Sequence, residues 1–394
     1  MSNNIDLESL DFAEDRYSRL RLIPWWDQER LANATIMVVG AGAIGNELIK
    51  NLSLLGIGKI LVIDMDQIEN TNLTRSVLYR AKDVGRYKAE VAAERASEMN
   101  PDVKTKAFVA NIIDDVGLGV FRRMNVVLGG LDNREARLAI NQSCYKVNRP
   151  WIDGAIEALN GFARVFMPPD GACYECTMTE TDWKLINKRK SCALLTREQM
   201  AEGKVPTTPT SSAIIAGVQV QELLKLLHND RGLPTLAGKC YVFNGLTHDS
   251  YIVEYQRKPD CMSHDTYDSI EERPWSVRTT ILRELVAAVK AELGEHAVLD
   301  FDREIATVAK CSCGETKDIY CPVHKLRGNE IVCPQCGKTM NFDSIHTLNG
   351  TEGFLDKTPL DIGIPLLDII IGRNGTQMKC FEFSADAHEV FDGL

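Results

Sequence analysis

Cysteine and histidine pairs at two-residue spacing are the groups in this sequence best placed for chemistry. Cys173-Tyr174-Glu175-Cys176 and Cys261-Met262-Ser263-His264 each set two ligands so that both reach one tetrahedral ion. All four positions would be filled by protein, so the expected zinc is structural and pins the loop after Cys176 to the last strand of its domain. Farther on, Cys311-Ser312-Cys313, Cys321-Pro322-Val323-His324 and Cys333-Pro334-Gln335-Cys336-Gly337 offer six candidates for a second zinc. One ion takes four: Cys333 and Cys336, with either Cys311 and Cys313 or Cys321 and His324.

A second constellation begins at Gly40-Ala41-Gly42-Ala43-Ile44-Gly45, which follows an apolar run and opens a helical pattern. Backbone N–H groups at such a turn approach a phosphate closely. Asp64, closing the next apolar run, is placed to accept from ribose hydroxyls, a pattern shared by ATP and NAD sites. The residues beyond separate the two. Asn72, Arg75, Lys88 and Asp132 supply an amide, two cations and a carboxylate, which suit a triphosphate with magnesium. The cations would stabilise oxygens of a leaving pyrophosphate, and Asp132 would bind the metal.

The elements that must hold these residues read as strand, helix and parallel strand over residues 35–64. A helix near Tyr87 to Met99, an alternating strand, another apolar strand and a helix from Asp132 continue the pattern, which implies a doubly wound α/β sheet. Two strands follow Pro150, then a polar stretch over 177–210 without clear periodicity, then a long helix expected to be capped by Ser211 or Ser212. The expected organisation is an N-terminal arm over 1–34, an α/β domain over 35–268 and a smaller domain over 275–394. The interruption at E-E-R-P-W separates the last two. The smaller domain is expected to be α+β, with a helix from Thr279 and strands near A-V-L-D-F and K-C-F-E-F around the second zinc cluster.

From R-Y-S-R to about Leu227, with the pair near Cys261, the sequence resembles the ubiquitin-activating enzyme superfamily, which includes adenylyltransferases of molybdopterin and thiamine sulfur carriers. The resemblance implies a Rossmann-like adenylation domain in which Asp64 holds the ribose, Asn72, Arg75 and Lys88 contact phosphates, and Asp132 binds magnesium. Arg19, the last residue of R-Y-S-R, matches the arginine that reaches the ATP of the opposite subunit, so a homodimer is implied. His264 stands where relatives usually carry cysteine. Cys192, in K-R-K-S-C-A-L-L, occupies the place of the acyl-accepting cysteine, and Lys188, Arg189 and Lys190 would favour its thiolate. The C-terminal domain looks like a β-grasp, ubiquitin-like fold that recruits a conjugating enzyme. The implied protein is a prokaryotic enzyme that adenylates the C-terminal carboxylate of a ubiquitin-like protein and passes it to Cys192 and then to a conjugating enzyme.

The chain's 394 residues, 44% of them hydrophobic, are enough for a full core. Its net charge of -10 opposes a nucleic-acid partner. No apolar run approaches a membrane span, and the acidic start does not read as a signal peptide, so a cytoplasmic protein with reduced cysteines is expected. Three rivals remain: a sulfur-carrier adenylyltransferase without an obligatory thioester, a nicotinamide-dependent oxidoreductase, and a non-catalytic scaffold.

Overall fold

The computed structural model describes residues 14–191, 206–326, 328 and 330–394. An eight-stranded sheet has the order β3-β2-β1-β4-β5-β6-β7-β8. Its strands are β1 (Thr35–Val39), β2 (Lys59–Ile63), β3 (Lys104–Phe108), β4 (Val126–Gly129), β5 (Trp151–Glu157), β6 (Asn160–Phe166), β7 (Lys239–Asn244) and β8 (Asp249–Glu254). The first five run parallel, and β6, β7 and β8 add antiparallel neighbours. The chain reverses its winding between β1 and β4, so the ends of these two strands open a crevice for ligand.

Helices α1 (Gln28–Asn33), α2 (Ala43–Leu55), α3 (Lys88–Met99), α4 (Leu118–Arg122), α5 (Arg134–Lys146), α6 (Tyr174–Thr177), α7 (Glu180–Ser191) and α8 (Pro209–Leu227) accompany this sheet. The stretch that lacks periodicity in sequence therefore contains α7. Helix α8 also starts earlier than expected: the Thr208 hydroxyl accepts from the Ser211 amide at 3.3 Å, and Pro209 takes the first turn. Proline fits there because its missing N–H would be unpaired anyway. The serines expected to cap lie inside the helix, where Ser212 bonds back to the Thr208 carbonyl.

The second sheet has the order β11-β10-β13-β14-β9, with β12 also paired to β10. It comprises β9 (Ile270–Arg273), β10 (Val298–Lys310), β11 (Thr316–Pro322), β12 (Asn341–Leu348), β13 (Ile369–Asn374) and β14 (Gln377–Phe383). Helix α9 (Leu282–Leu293) buries Leu285, Val286 and Val289 in a core with Leu299, Phe381 and Phe383, and α10 (Ala387–Phe391) ends the unit. The unit is α+β, as expected, while the narrower β-grasp reading is not established by an order in which a single strand precedes the helix. The first three residues of E-E-R-P-W are strand, since Ile270–Arg273 runs parallel to β14, and the strand ends before Pro274. Its charges are paired, Arg273 with Glu271 and with Glu292 of α9, and Glu272 with Arg122 of α4, so no apolar alternation marks it.

The smaller unit is bound firmly to the larger. Leu367, Ile369, Cys380 and Val390 share one hydrophobic cluster with Val116, Leu118 and Phe121. Glu382, fully buried, accepts from both Arg122 and Arg123. A Cβ at Gly119 would fall 2.5 Å from the Leu367 carbonyl oxygen, so only glycine permits this approach.

Candidate active site

The glycine turn is shaped by three different demands. Gly40 has φ 89° and faces the Gly130 carbonyl, 2.6 Å from where a Cβ would stand. At Gly45 a Cβ would strike the Gly40 carbonyl at 1.8 Å, so this glycine lets α2 close onto its own turn. Gly42 is different: a Cβ there meets nothing within 4 Å, and the space above the helix N-terminus is open. That N-terminus presents unpaired amides and the positive end of the helix dipole to whatever enters.

The surrounding side chains fix the turn. Asp64 accepts from the Ala41 amide at 2.7 Å and the Asp66 amide at 2.8 Å. Burial pushes its carboxyl above the usual carboxylate range, opposed by Lys88. Three residues that sequence reasoning passed over complete the frame. Asn46, fully buried, donates to the Ala41 and Gly42 carbonyls and accepts from the Leu78 amide. Tyr79 donates to the Ala41 carbonyl at 2.6 Å, and burial raises its phenol far above the ordinary value. Gln219 on α8 donates to the Gly129 carbonyl at 2.9 Å. A buried amide facing the turn was available as a signal only for Asn46, one helical turn from Gly42; Gln219 comes from far along the chain.

Lys88 begins α3, where a cation opposes the helix dipole. It is mostly buried and pairs with the exposed Asp66 at 2.8 Å. A side chain kept against the dipole, with an exchangeable partner, suits an anion that arrives later. Asn72 and Arg75 lie on the segment between β2 and α3; the Asn72 amide oxygen accepts from Glu69, and Arg75 donates to the Thr71 carbonyl. Asp132 is exposed on the turn between β4 and α5, two residues after Gly130, beside the glycine turn. Asn133, not Asp132, caps α5, leaving the Asp132 carboxylate free of that duty. Arg19 is exposed near Tyr17, whose ring packs at Gly56, the far end of α2. With 13 residues, α2 is ~20 Å long, so Gly56 and the Tyr17 ring lie about that far from the glycine turn.

The first metal cluster brings Cys173, Cys176, Cys261 and His264 together with all ligand atoms within 4.8 Å of one another. Sulfurs of Cys173 and Cys176 are 3.7 Å apart, those of Cys173 and Cys261 3.5 Å, and Cys176 lies 3.3 Å from His264 Nε2. Zinc–sulfur bonds of about 2.3 Å place tetrahedral sulfurs about 3.8 Å apart, so the set fits zinc, and histidine is an acceptable fourth ligand. Burial raises the Cys173 and Cys261 thiols, a cost that a cation would offset.

The second cluster resolves the six-ligand alternative in favour of Cys311, Cys313, Cys333 and Cys336. Cys311 lies 3.4 Å from Cys336, and Cys313 lies 3.6 Å from Cys333. Cys321 sits on β11 outside this group, and His324 turns toward Asp114 at 3.7 Å. The knuckle glycines explain the choice: Gly314 and Gly337 have φ 94° and 70°, and their amides bond back to the Cys311 and Cys333 carbonyls. Each cysteine pair followed by glycine thus makes a tight loop around its ligands, whereas Cys321-Pro322-Val323-His324 runs off a strand. Cys192 lies outside the described residues.

The family described as ThiF matches residues 14–263. A sulfur carrier protein adenylyltransferase from Thermus thermophilus is 31% identical over 255 residues, 63% of this chain and 89% of that protein. A SAMP-activating enzyme E1 from Haloferax volcanii is 31% identical over 276 residues, 67% of this chain and 94% of its own. Ubiquitin-like modifier-activating enzyme 5 from Dictyostelium discoideum is 32% identical over 213 residues, half of this chain and 54% of that relative. Among solved structures, E. coli MccB with ATP aligns over 65% of this chain and 75% of its own, with a TM-score of 0.54 and 26% identity. No helix among the described residues is long and apolar enough to cross a membrane.

Proposed function

From the chain's membership of the ThiF family we propose that it adenylates the C-terminal carboxylate of a ubiquitin-like or sulfur-carrier protein with ATP. The observation that carries this reading is the open space over Gly42, bordered by Asp64 and Lys88, with Asp132 on the adjoining turn. Asp64 would take the ribose hydroxyls, the α2 N-terminus and Lys88 the phosphates, and Asn72 and Arg75 would join from their loop. Magnesium, when bound with the nucleotide, would neutralise phosphate charge beside Asp132. The carrier carboxylate, ionised at pH 7, attacks the α-phosphorus. The new O–P bond forms as the bond to pyrophosphate breaks, so no protein base is required.

The name of the Dictyostelium relative favours a ubiquitin-like substrate, for which we propose a thioester stage. In that stage the Cys192 thiolate attacks the acyl carbon, AMP departs, and the thioester passes to a conjugating enzyme. The C-terminal unit is assigned the recruiting role, and Arg19 the reach into the site of a second copy. The name of the Thermus relative favours a sulfur-carrier route instead, in which the acyl adenylate would go to a sulfur donor. Incubation with ATP, magnesium and candidate carriers separates the two. A reductant-sensitive adduct in wild type that vanishes in Cys192→Ala, with pyrophosphate exchange retained, supports the thioester. Exchange in both with an adduct in neither supports the sulfur route, and exchange in neither defeats both.

A further inference from the structure

Two arginines share one carboxylate in the core between the first zinc cluster and the turn carrying Asp132. Asp153 is fully buried; its Oδ1 accepts from Arg137 Nε at 2.9 Å and its Oδ2 from Arg164 Nε at 3.1 Å. Both arginines are only 8% exposed, so the group carries one uncompensated positive charge away from water. The faces of Phe162 and Tyr174, 4.5 and 4.9 Å from the Arg164 guanidinium carbon, supply part of the missing stabilisation. Buried ion clusters of this kind seldom raise stability above that of an apolar core, so a positional role is the stronger explanation.

The two ends of the cluster point to different sites. Arg137 donates to the carbonyl of Leu131, the residue before Asp132, and to that of Gly154. Gln219 holds the Gly129 carbonyl on the other side of Gly130, so the turn is gripped from two helices. Arg164 lies against Tyr174, between zinc ligands Cys173 and Cys176, and reaches the Thr177 hydroxyl at 3.5 Å. Helix α5 repeats the connection on one stripe, since residues four apart share a helical face. Arg137 grips the turn, the Asn141 amide oxygen accepts from the Tyr174 amide at 2.9 Å, and Tyr145 packs 5.4 Å from the His264 ring.

We propose that Arg137, Asp153 and Arg164 are positioning residues that couple the first zinc loop to the Asp132 turn, so that zinc and nucleotide strengthen each other's binding. The proposal rests on the nucleotide reading given above. Coupling between two sites is reciprocal and amounts to about 5-fold or more where it is established.

The test is equilibrium zinc partition between the full-length chain and a chromogenic chelator, with and without ATP and magnesium, after ATP binding to the zinc-loaded protein has been measured directly. The first centre is read as the zinc that persists in Cys333→Ser. ATP is expected to raise its zinc affinity about 5-fold or more, and this factor is expected to fall below about 2-fold in Arg137→Lys and in Arg164→Lys. Either variant suffices should the other fail to fold. ATP that binds without changing zinc affinity overturns the coupling and leaves the nucleotide reading intact. Coupling undiminished in the variants removes these residues from it, and a zinc-loaded chain that does not bind ATP overturns the nucleotide reading together with the proposal.

Discussion

Both clusters are built from two close ligand pairs, yet they sit in the fold in opposite ways. The first joins ligands 88 residues apart and lies in the large hydrophobic cluster with Trp151, Phe166 and Tyr145. The second closes within 25 residues, leaves Cys313 and Cys336 exposed, and among the described residues has a small buried cluster of Ala309, Cys311, Cys333 and Met340 with Ile319 and Phe342 packed on it. Where a core already exists, a metal would fix one loop against it. Where the buried cluster is small, a metal would take the place of a core. The consequence of losing each ion should therefore spread through the first domain and stay local in the second.

Removing the first site, by Cys176→Ser or by chelation, is expected to have the largest effect. Calorimetry should show the main transition lowered by several degrees or more, and pyrophosphate exchange should fall with it. Breaking the joint between the units comes next. Glu382→Ala takes the buried carboxylate from Arg122 and Arg123, which keep only the exposed Glu272, and chemical denaturation should show a loss of about 1.5–3 kcal/mol. Lys88→Met is expected to lower exchange by about 10²-fold, or ~2.7 kcal/mol, with both zinc ions retained by elemental analysis. Cys333→Ser should release one zinc and leave exchange within about 2-fold of wild type. A loss of exchange comparable to that of Cys176→Ser would erase the distinction between the clusters.

What was legible in the sequence follows the range of the forces involved. Gly40, Gly45 and Asp64 announce themselves because a turn between strand and helix admits few residue types, and the structure places them together. Cysteine spacing located both metal clusters, but choosing Cys311 and Cys313 over Cys321 and His324 required the fold of the β10–β11 ribbon. Tyr79, Gln219 and Arg137 were missed because each acts on a carbonyl brought near by tertiary packing, whereas Asn46 acts within one helical turn of Gly42 and was legible. The start of α8 was misplaced because Thr208-Pro209 reads as loop until its cap bond is visible. The docking of the smaller unit on α4 was invisible for the same reason as β9: charged residues there find buried partners in another element, so apolar periodicity does not mark them.

The central claim is that a free protein carboxylate and ATP meet over Gly42. Exchange of labelled pyrophosphate into ATP, in the presence of a ubiquitin-like carrier, tests it most directly when the carrier is supplied with a free and with an amidated C-terminus. Label entering ATP with the free carboxylate alone is the predicted result. Equal incorporation with the amidated carrier, or none with any free one while ATP is bound, would contradict the account.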